Sequence, residues 1–345
     1  MSIKQVAEMT GLSIATVSNV FNGNRPVSEE SRQKVLVAAE KIGYRPNMAA
    51  RMLRTQRSNT VAFIIPTDEE NRNANFFYMD VLLGINKKLG EHNYNVIVAA
   101  YGGASSGERS FSAVEVCKKQ WVDGVIFVPS SKNARQLDVL REMGVPFVLA
   151  DRKVDGGGYS FVGSDNEGGA YQAVQRLISC GHQKIGFVGG ALNISSGSER
   201  FAGYRSALEA NGLPFDENLI GIASHFSVKE GELCVRHLLE QGIDGLFVAD
   251  NVLTMGAMRE LSRQKVKIPE QVGVIGYDHF DWMDFLSPPL TTVRQRSRQI
   301  GYVAAEMLLR RLSGMEGNEK VILETEIVQG GSHSRKEEDI LVKCQ

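Results

Sequence analysis

The apolar positions in the N-terminal part of the chain recur with the spacing of short amphipathic helices. Val17, Val20 and Phe21 fall at i, i+3 and i+4 and form one apolar stripe. Ser13 precedes the stripe as a candidate N-cap, and Gly23 follows it as a candidate left-handed terminator. The pattern therefore predicts a short helix whose remaining faces are free to contact another molecule.

Two further helices are predicted on either side of this one. Ser2 and Gln5 have the spacing of a capping box, and Gly11 ends the segment that follows them. Ser28 can cap a third helix, which Gly43 ends. The apolar sides are expected to hold Val6, Ala7 and Met9 in the first helix, and Val35, Ala39 and Ile42 in the third. Three short helices in this order are typical of a helix-turn-helix DNA-binding headpiece.

The distribution of charge along the chain favours a DNA-binding headpiece over the alternative, a plain helical hairpin at the edge of a larger domain. Residues 1–60 have nine basic and four acidic side chains, which gives a net charge of +5. The net charge of the whole chain is −1, so the net charge of the remaining residues is −6. A basic head on an acidic body is expected of a protein that neutralises DNA phosphates with one end only.

From residue 61 onward, short apolar strands alternate with helix-length segments. The predicted strands are VAFII, NVIVAA, GVIFVP, PFVLAD, KIGFVGG, GLFVAD and VGVIGYD. This alternation predicts a parallel α/β architecture. The similarity of VDGVIFVPS at 122 to IDGLFVADN at 243 indicates two lobes with a ligand between them. In parallel sheets, ligand-binding sites lie at the carboxyl ends of the strands. The residues predicted at these ends are Asp151, Gly190, Asp250 and Asp278.

Composition narrows the class of protein further. With 43% hydrophobic and 23% charged residues, and no apolar run of the ~20 residues that a spanning helix needs, a membrane protein is not expected. The N-terminus has no signal-peptide pattern, so we expect a cytoplasmic protein. The four cysteines have no metal-ligand spacing and are expected to be buried thiols: Cys117, Cys180, Cys234 and Cys344.

The segment YRPNMAARMLRTQRSNT joins the two parts. Pro46 blocks continuation of the third helix, and Asn47 can cap a short helix from Met48 to about Leu53. Because an isolated helix this short is marginal in water, it would form only with support from DNA or a second copy. A plain linker is the alternative.

The chain resembles the lactose-repressor and galactose-repressor (LacI/GalR) family of bacterial transcription regulators over essentially its whole length. The motifs that carry the resemblance are, in order, IKQVAEMTGLSIATVSNVFNG, VSEESRQKVLVAAEKIGYRPNMAARMLRTQRS, NANFF, VDGVIFVP, SDNEGGAYQAVQRLISCGHQKIGFVGG, SERFAGYRSAL and VGVIGYDHFDWMDFLSPPLTTVRQ. The resemblance implies an N-terminal all-α helix-turn-helix headpiece and a two-lobed α/β body with parallel sheets, similar to periplasmic sugar-binding proteins.

For DNA, the resemblance implies a homodimer on a near-palindromic double-stranded operator. Ile14 and Ala15 match the positions that read bases, and Asn19 lies one turn further along. Many relatives have arginine at the position of Asn19; asparagine suits adenine where arginine suits guanine, although a phosphate contact is the alternative. Thr16 is expected to contact phosphate or to cap the helix.

In the hinge, the resemblance assigns an apolar wedge to Leu53, which would unstack a central base step and bend the duplex. Ala49 and Ala50 match small residues that let two hinge helices approach each other, and Arg54 is a basic neighbour of the wedge. Leu53 as an ordinary core leucine is the alternative.

In the body, the resemblance implies an effector site between the lobes. Aromatic faces would stack on a sugar ring, while arginine and aspartate would hold hydroxyl or carboxylate groups. The matching residues are Phe76, Phe77, Arg200, Phe226, Asp250, Asp278 and Trp282. Core packing is the alternative for the phenylalanines, and the separate roles of Asp250 and Asn251 are left open. The glycine-rich GGALNISSGSER is either a ligand-binding loop or a plain connection.

The expected domains are a headpiece over 1–46, a hinge and linker over 47–60, an effector and dimerisation domain over 61–332, and a charged tail over 333–345. Lobe one is expected at about 61–160 and 291–320, and lobe two at about 161–290 and 321–332. The tail is too short for a zipper that would join two dimers, which favours a dimer over a tetramer.

An enzyme is the competing class for an α/β body with strand-end carboxylates. P-loop, GxSxG, HExxH and dinucleotide motifs are missing, so no catalysis, cofactor or metal is expected. The function predicted is that of a sequence-specific regulator, a repressor controlled by a sugar, sugar acid or sugar phosphate. Control by a protein partner is the alternative.

Overall fold

A computed structural model describes residues 2–22, 25–44, 57–67, 76–102, 122–133, 135–142 and 144–334. The chain divides into two compact units, Met1–Ser58 and Asn59–Gln345. The first unit contains the helices α1 (Ile3–Thr10), α2 (Ile14–Asn22) and α3 (Glu29–Lys41). The predicted hinge residues Ala49, Ala50, Leu53 and Arg54, like the expected terminator Gly23, lie outside the described residues.

The helix ends of the headpiece follow the capping residues in the sequence. The Ser2 N–H donates to Gln5 Oε1 at 2.9 Å before α1, and Gly11 ends that helix at φ +69°, in the left-handed region. Ser13 Oγ accepts from the Thr16 N–H at 3.0 Å at the start of α2, and Ser28 caps α3.

One small core holds the three headpiece helices together. Its buried centre is formed by Val6, Ala7, Val17, Val35, Ala38 and Ala39, with Val20, Phe21 and Ile42 packed around them. Met9 is an exception to the predicted pattern, because its side chain is exposed rather than buried. The apolar residues of all three helices meet on one side, so α2 keeps its opposite face in solvent.

The second unit is built on two six-stranded sheets. The strands of the first sheet are β1 (Thr60–Thr67), β2 (Asn95–Gly102), β3 (Gly124–Phe127), β4 (Phe147–Ala150), β5 (Ser160–Ser164) and β11 (Lys320–Leu323), in the order β11-β5-β4-β3-β1-β2. The strands of the second are β6 (Ile185–Gly189), β7 (Ile220–Ile222), β8 (Gly245–Val248), β9 (Gly273–Tyr277), β10 (Thr291–Arg294) and β12 (Glu326–Val328), in the order β12-β10-β9-β8-β6-β7. All pairs are parallel except β10 with β12.

Helices cover both faces of each sheet, as parallel sheets require. They are α4 (Phe76–Gly90), α5 (Arg135–Glu142), α6 (Asn166–Ser179), α7 (Ser195–Ala210), α8 (Val228–Glu240), α9 (Asn251–Arg263) and α10 (Ser297–Leu312). In the first lobe, α4 and α10 cross at glycines: a Cβ on Gly84 would lie 2.0 Å from the Arg298 carbonyl oxygen, and one on Gly301 would lie 1.9 Å from that of Val81. Only glycine permits so close a crossing.

The chain crosses between the lobes three times, slightly later than the predicted boundaries. β5 lies wholly in the first sheet and β10 wholly in the second, while β11 returns to the first. The crossings therefore follow residues 164, 294 and 323, whereas we expected them near 160, 290 and 320. The approximate boundaries were taken from the family resemblance, and the structure places each crossing a few residues later, where β5, β10 and β11 end.

Two buried histidines, His182 and His333, form hydrogen bonds that fix the C-terminal segment of the second lobe. His182 Nε2 lies 2.9 Å from the His333 carbonyl oxygen, and His333 Nε2 accepts from Arg176 Nε at 3.0 Å. Ser332, His333 and Ser334 are all buried. Residues 333 and 334 thus belong to the lobe-two core rather than to the predicted charged tail, because these buried polar groups find their partners there.

Within the described ranges, no group of three His, Cys, Asp or Glu is arranged to hold a metal ion. Across the same ranges, no helix has the length and apolarity to cross a membrane. Cys180 and Cys234 are free thiols, but both are half-buried rather than buried; Cys117 and Cys344 lie outside the described residues.

Candidate functional site

The solvent face of α2 presents the residues expected to read DNA. Ile14 and Ala15 are exposed, whereas Val17 is fully buried in the headpiece core. Asn19 is half-buried beside this face, and the Thr16 hydroxyl is 2.8 Å from Ser13 Oγ. Because Ile14, Ala15 and Thr16 lie away from the headpiece core, this face of α2 is the candidate contact surface.

A buried cluster of polar groups at the strand ends of lobe two is formed around Arg200. Its side chain is only 7% exposed, and α7 carries it to the carboxyl ends of the second sheet. Nε donates to Asn166 Oδ1 at 2.9 Å, Nη1 donates to the Ala249 carbonyl at 2.8 Å, and the guanidinium lies 3.7 Å from the centre of the Tyr277 ring. These contacts hold a buried cation in one orientation, which is the preorganisation that a binding site needs.

Asp278 lies at the carboxyl end of β9 and is 6% exposed. Its Oδ2 accepts from Asn251 Nδ2 at 3.0 Å, and its Oδ1 accepts from Gln295 Nε2 at 2.7 Å. Burial raises the pKa of this carboxyl to about 6, although Arg200 and Gln295 act in the opposite direction. Its backbone has φ +61°, a strained conformation for a residue with a side chain, and such strain is found most often at functional sites.

The structure separates the roles of Asp250 and Asn251, which the sequence left open. Asp250 Oδ1 accepts from the Val252 and Leu253 N–H groups at 2.8 and 3.0 Å, so Asp250 caps α9. Burial raises the pKa of Asp250. Asn251 instead orients Asp278. Asp250 therefore positions the site in addition to any contact with a ligand.

Lobe one contributes a charged pair that the predicted site did not include. Asp151 follows β4, has φ +67°, and accepts from the buried Tyr78 hydroxyl at 3.2 Å. Its neighbour Arg152 lies 3.5 Å from the Asp151 carboxylate and 5.8 Å from the centre of the Phe226 ring of lobe two. Burial raises the pKa of Asp151. The strand-end rule that marked Asp250 and Asp278 also marked Asp151, and this signal was sufficient to select it.

The predicted aromatic residues fall in different places. Phe226 faces the cleft beside Gly190, and the exposed Phe76 packs on Phe280 of the other lobe with ring centres 5.6 Å apart. Phe77 is 7% exposed and belongs mainly to the lobe-one core, and Trp282 packs against the lobe-two core. Phe77 and Phe280, rather than Trp282, line the cavity at this end of the cleft. An aromatic residue type alone does not distinguish core from cleft.

The glycine-rich loop after β6 joins the two lobes. The Lys132 N–H donates to the Asn193 carbonyl at 2.8 Å, and the Lys153 N–H donates to Ser195 Oγ at 2.8 Å. The Lys153 ammonium also pairs with Glu199 at 2.7 Å. This loop is therefore one edge of the cleft and has a role beyond that of a plain connection.

Comparison with known proteins shows the same two-part organisation. A model of the lacI family of bacterial regulatory proteins matches residues 2–47, and one of periplasmic binding protein-like domains matches residues 174–333. The HTH-type transcriptional regulator CelR of Thermobifida fusca is 34% identical over 333 residues, which cover 95% of this chain and 96% of that one. The chain belongs to the LacI family.

Two further relatives agree with this membership. The HTH-type transcriptional repressor PurR of Vibrio atlanticus is 29% identical over 332 residues, covering 95% of this chain and 97% of that one. A solved structure of a transcriptional regulator CelR–cellobiose complex superposes with a TM-score of 0.75 at 32% identity, covering 96% of this chain and 99% of that one. The protein is thus a DNA-binding transcriptional regulator of the LacI family and not an enzyme.

Proposed function

We propose that the protein is a repressor that binds a near-palindromic operator as a homodimer, and that a sugar, sugar acid or sugar phosphate in the cleft controls its affinity for DNA. The observation that carries this proposal is the buried, hydrogen-bonded arrangement of Arg200 and Asp278 at the strand ends of lobe two. Buried charged groups with fixed orientation bind hydroxyl and carboxylate groups strongly, because the cost of ordering them has already been met in folding.

The opposite lobe supplies the second half of this site. Asp151 and Arg152 come from lobe one, and Arg152 lies against Phe226 of lobe two. A ligand that contacts both lobes would favour one lobe arrangement through its differential contacts. The cellobiose bound to the related CelR supports a carbohydrate as the ligand class. A DNA-binding regulator meets its operator in the cytoplasm, so we place the protein there.

A homodimer is supported by an apolar edge of lobe one. β2 is the outer strand of the first sheet, and its Ile97 and Val98 side chains are exposed. Met79 and Leu83 on α4 are exposed as well. Exposed apolar groups on an edge strand promote association unless another surface covers them, and a second copy would cover this one.

A ligand panel tests the proposed control directly. Sugars, sugar acids and sugar phosphates are screened with the full-length protein by thermal shift, and operator affinity is then measured with and without each hit. A ligand at 100 times its Kd should add about 2.7 kcal/mol to the free energy of unfolding. The homodimer is tested separately by light scattering, in which the measured molar mass should be twice the 37.9 kDa of one chain. If no compound of these classes both stabilises the protein and changes its operator affinity, the proposed effector class is wrong.

Substitution of Asn19 tests base reading by α2. Asn19→Arg should weaken binding to an operator selected from random DNA, and should favour a variant with guanine at one symmetric pair of positions by about tenfold. Gln33→Arg is the matched control, because it adds the same charge on the exposed part of α3. Quantitative DNA-binding titrations give both values. Equal changes on every DNA sequence would place Asn19 against the phosphate backbone instead.

A further inference from the structure

The two lobes repeat a short motif, an apolar residue followed by Asp-Gly, that lies outside the effector site. In lobe one it is VDG at 122–124, before β3, and in lobe two it is IDG at 243–245, before β8. β3 lies between β1 and β4, and β8 lies between β6 and β9, so the two strands have equivalent positions in their sheets. Asp123 and Asp244 are therefore equivalent residues of the two lobes.

In lobe two, the aspartate of this motif fixes a loop that belongs to the lobe itself. Asp244 Oδ1 accepts from the Gln183 N–H at 3.0 Å and from the Lys184 N–H at 2.8 Å. The Asp244 N–H donates in turn to the Lys184 carbonyl at 3.0 Å. Gln183 and Lys184 lie between the end of α6 and the start of β6. Asp244 thus fixes the entry to a strand whose preceding segment is part of the same lobe.

In lobe one, the equivalent aspartate fixes the point at which the chain enters the body. Asp123 Oδ2 accepts from the Asn59 N–H at 2.9 Å, and the Asp123 N–H donates to the Thr60 carbonyl at 2.8 Å. On the other side of β1, the Asn95 N–H donates to the Asn59 carbonyl at 2.8 Å. Asn59 is the first residue of the second compact unit. The motif that orders an internal loop in lobe two therefore orders the connection to the headpiece in lobe one.

The backbone of Asn59 turns the chain at this connection. Its φ is +49°, in the left-handed region, where asparagine is found more often than most residues other than glycine. The hydrogen bonds to Asp123 and Asn95 hold this turn. Each residue has only two soft backbone dihedral angles, so fixing those of Asn59 fixes the direction of the chain that precedes it.

We propose that Asp123 is a positioning residue for operator binding, because its hydrogen bond to Asn59 fixes the direction in which the chain leaves lobe one toward the headpiece. The proposal rests on the proposed function, since it assumes a homodimer that binds two half-sites of one operator. In such a dimer, the two connections at Asn59 limit which half-site spacing the headpieces can reach. A different spacing is bound only if these connections change, which breaks the bond to Asp123 in both copies.

Titration of two DNA duplexes with the full-length protein tests this role. One duplex is an operator selected from random DNA with the wild type, and the other has one base pair inserted at its centre. Asp123→Ala should lower the preference for the selected spacing by about tenfold, because two hydrogen bonds no longer oppose the altered spacing. Asp123→Asn keeps a side-chain oxygen that can accept from the Asn59 N–H, so it should retain the preference of the wild type.

Asp244→Ala is the matched control, because it removes the equivalent carboxylate from lobe two. Thermal melting should show that this variant is destabilised, since the Gln183 and Lys184 N–H groups lose an acceptor. Its preference between the two duplexes should equal that of the wild type. Asn59→Gly is a second test that does not depend on the folding of Asp123→Ala. Glycine is unstrained at this φ and has more backbone freedom, so this variant should lower the preference by about threefold.

The outcomes separate the positioning role from the function on which it rests. A wild type that binds both duplexes equally would overturn the homodimer on a near-palindromic operator and the positioning role together. A clear preference of the wild type that Asp123→Ala and Asn59→Gly both retain would overturn the positioning role alone. An equal loss of preference in Asp244→Ala would also overturn it, because the effect would then follow from lower stability of the body.

Discussion

Removal of the headpiece should abolish operator binding. The unit Asn59–Gln345 has both sheets and the effector cleft, whereas α2 and most of the excess positive charge lie in residues 1–58. Neutralisation of DNA phosphates supplies much of the affinity for DNA. The acidic unit alone lacks the basic residues of the headpiece, so we expect it not to bind the duplex. Gel-shift titration of residues 59–345 beside the full chain measures the loss. Thermal-shift detection of the effector confirms that the truncated body is folded.

The salt dependence of the full chain provides the quantitative part of this prediction. Each phosphate contact contributes about −0.9 to the slope of log affinity against log salt concentration. With the six or more contacts that a dimer of basic headpieces would make, affinity should fall by about a thousandfold or more between 50 and 200 mM salt. Operator binding by the truncated body, or a nearly flat salt dependence of the full chain, would contradict the assignment of the headpiece.

The sequence was sufficient to predict seven of the twelve described strands, namely β1 to β4, β6, β8 and β9. β1, β3 and β8 are continuous apolar runs in the second unit, and the buried side chains of all three follow from that pattern. β5, β7, β10, β11 and β12 were not predicted, because each is only three to five residues long and has at most three apolar residues. The positions of the lobe crossings depend on these strands, because each crossing is defined by the sheet that the next strand joins.

The site was predictable only where one residue carries a distinctive signal. Arg200 and Asp278 were identified from family motifs and strand ends, and both are buried at the strand ends of lobe two. Gln295 and Tyr78 matter because of what they contact: Gln295 orients Asp278, and the Tyr78 hydroxyl bonds to Asp151 across a long sequence separation. A glutamine between two arginines, or a tyrosine in an apolar helix, gives no hint of such a partner before the fold brings the two together.

The predicted aromatic residues also show that residue type alone does not predict which side chains lie at the site. Phe76 and Phe77 are adjacent in the chain, yet Phe76 is 61% exposed and packs on Phe280, whereas Phe77 is 7% exposed and packs in the lobe-one core. Successive residues of a helix point about 100° apart, so two adjacent phenylalanines have different surroundings. Helix phase rather than residue type therefore decides what each aromatic residue contacts.

Arg200→Leu should abolish the response to effector while leaving operator affinity without effector nearly unchanged. The guanidinium is fixed by Asn166, the Ala249 carbonyl and the face of Tyr277, so that a ligand meets a charge already in place. Loss of a desolvated, hydrogen-bonded charge from an interface costs about 2–5 kcal/mol, and effector binding should weaken by about 100-fold or more. Because Arg200 belongs to the body, its removal leaves the DNA-reading face of α2 intact.

The matched control for this variant is Arg205→Leu. Arg205 is on the same helix, α7, but it is exposed and lies 5.0 Å from the centre of the Phe215 ring, at the surface. Operator affinity of the wild type and both variants is measured with and without the effector found in the ligand panel, and thermal melting confirms that each variant is folded. The Arg205 variant should respond as the wild type does, since it keeps every cleft contact. A full response from a folded Arg200→Leu protein would show that Arg200 does not bind the effector. The ligand would then be held by Asp278 and Asp151, which are the remaining buried charges at the strand ends of the two lobes.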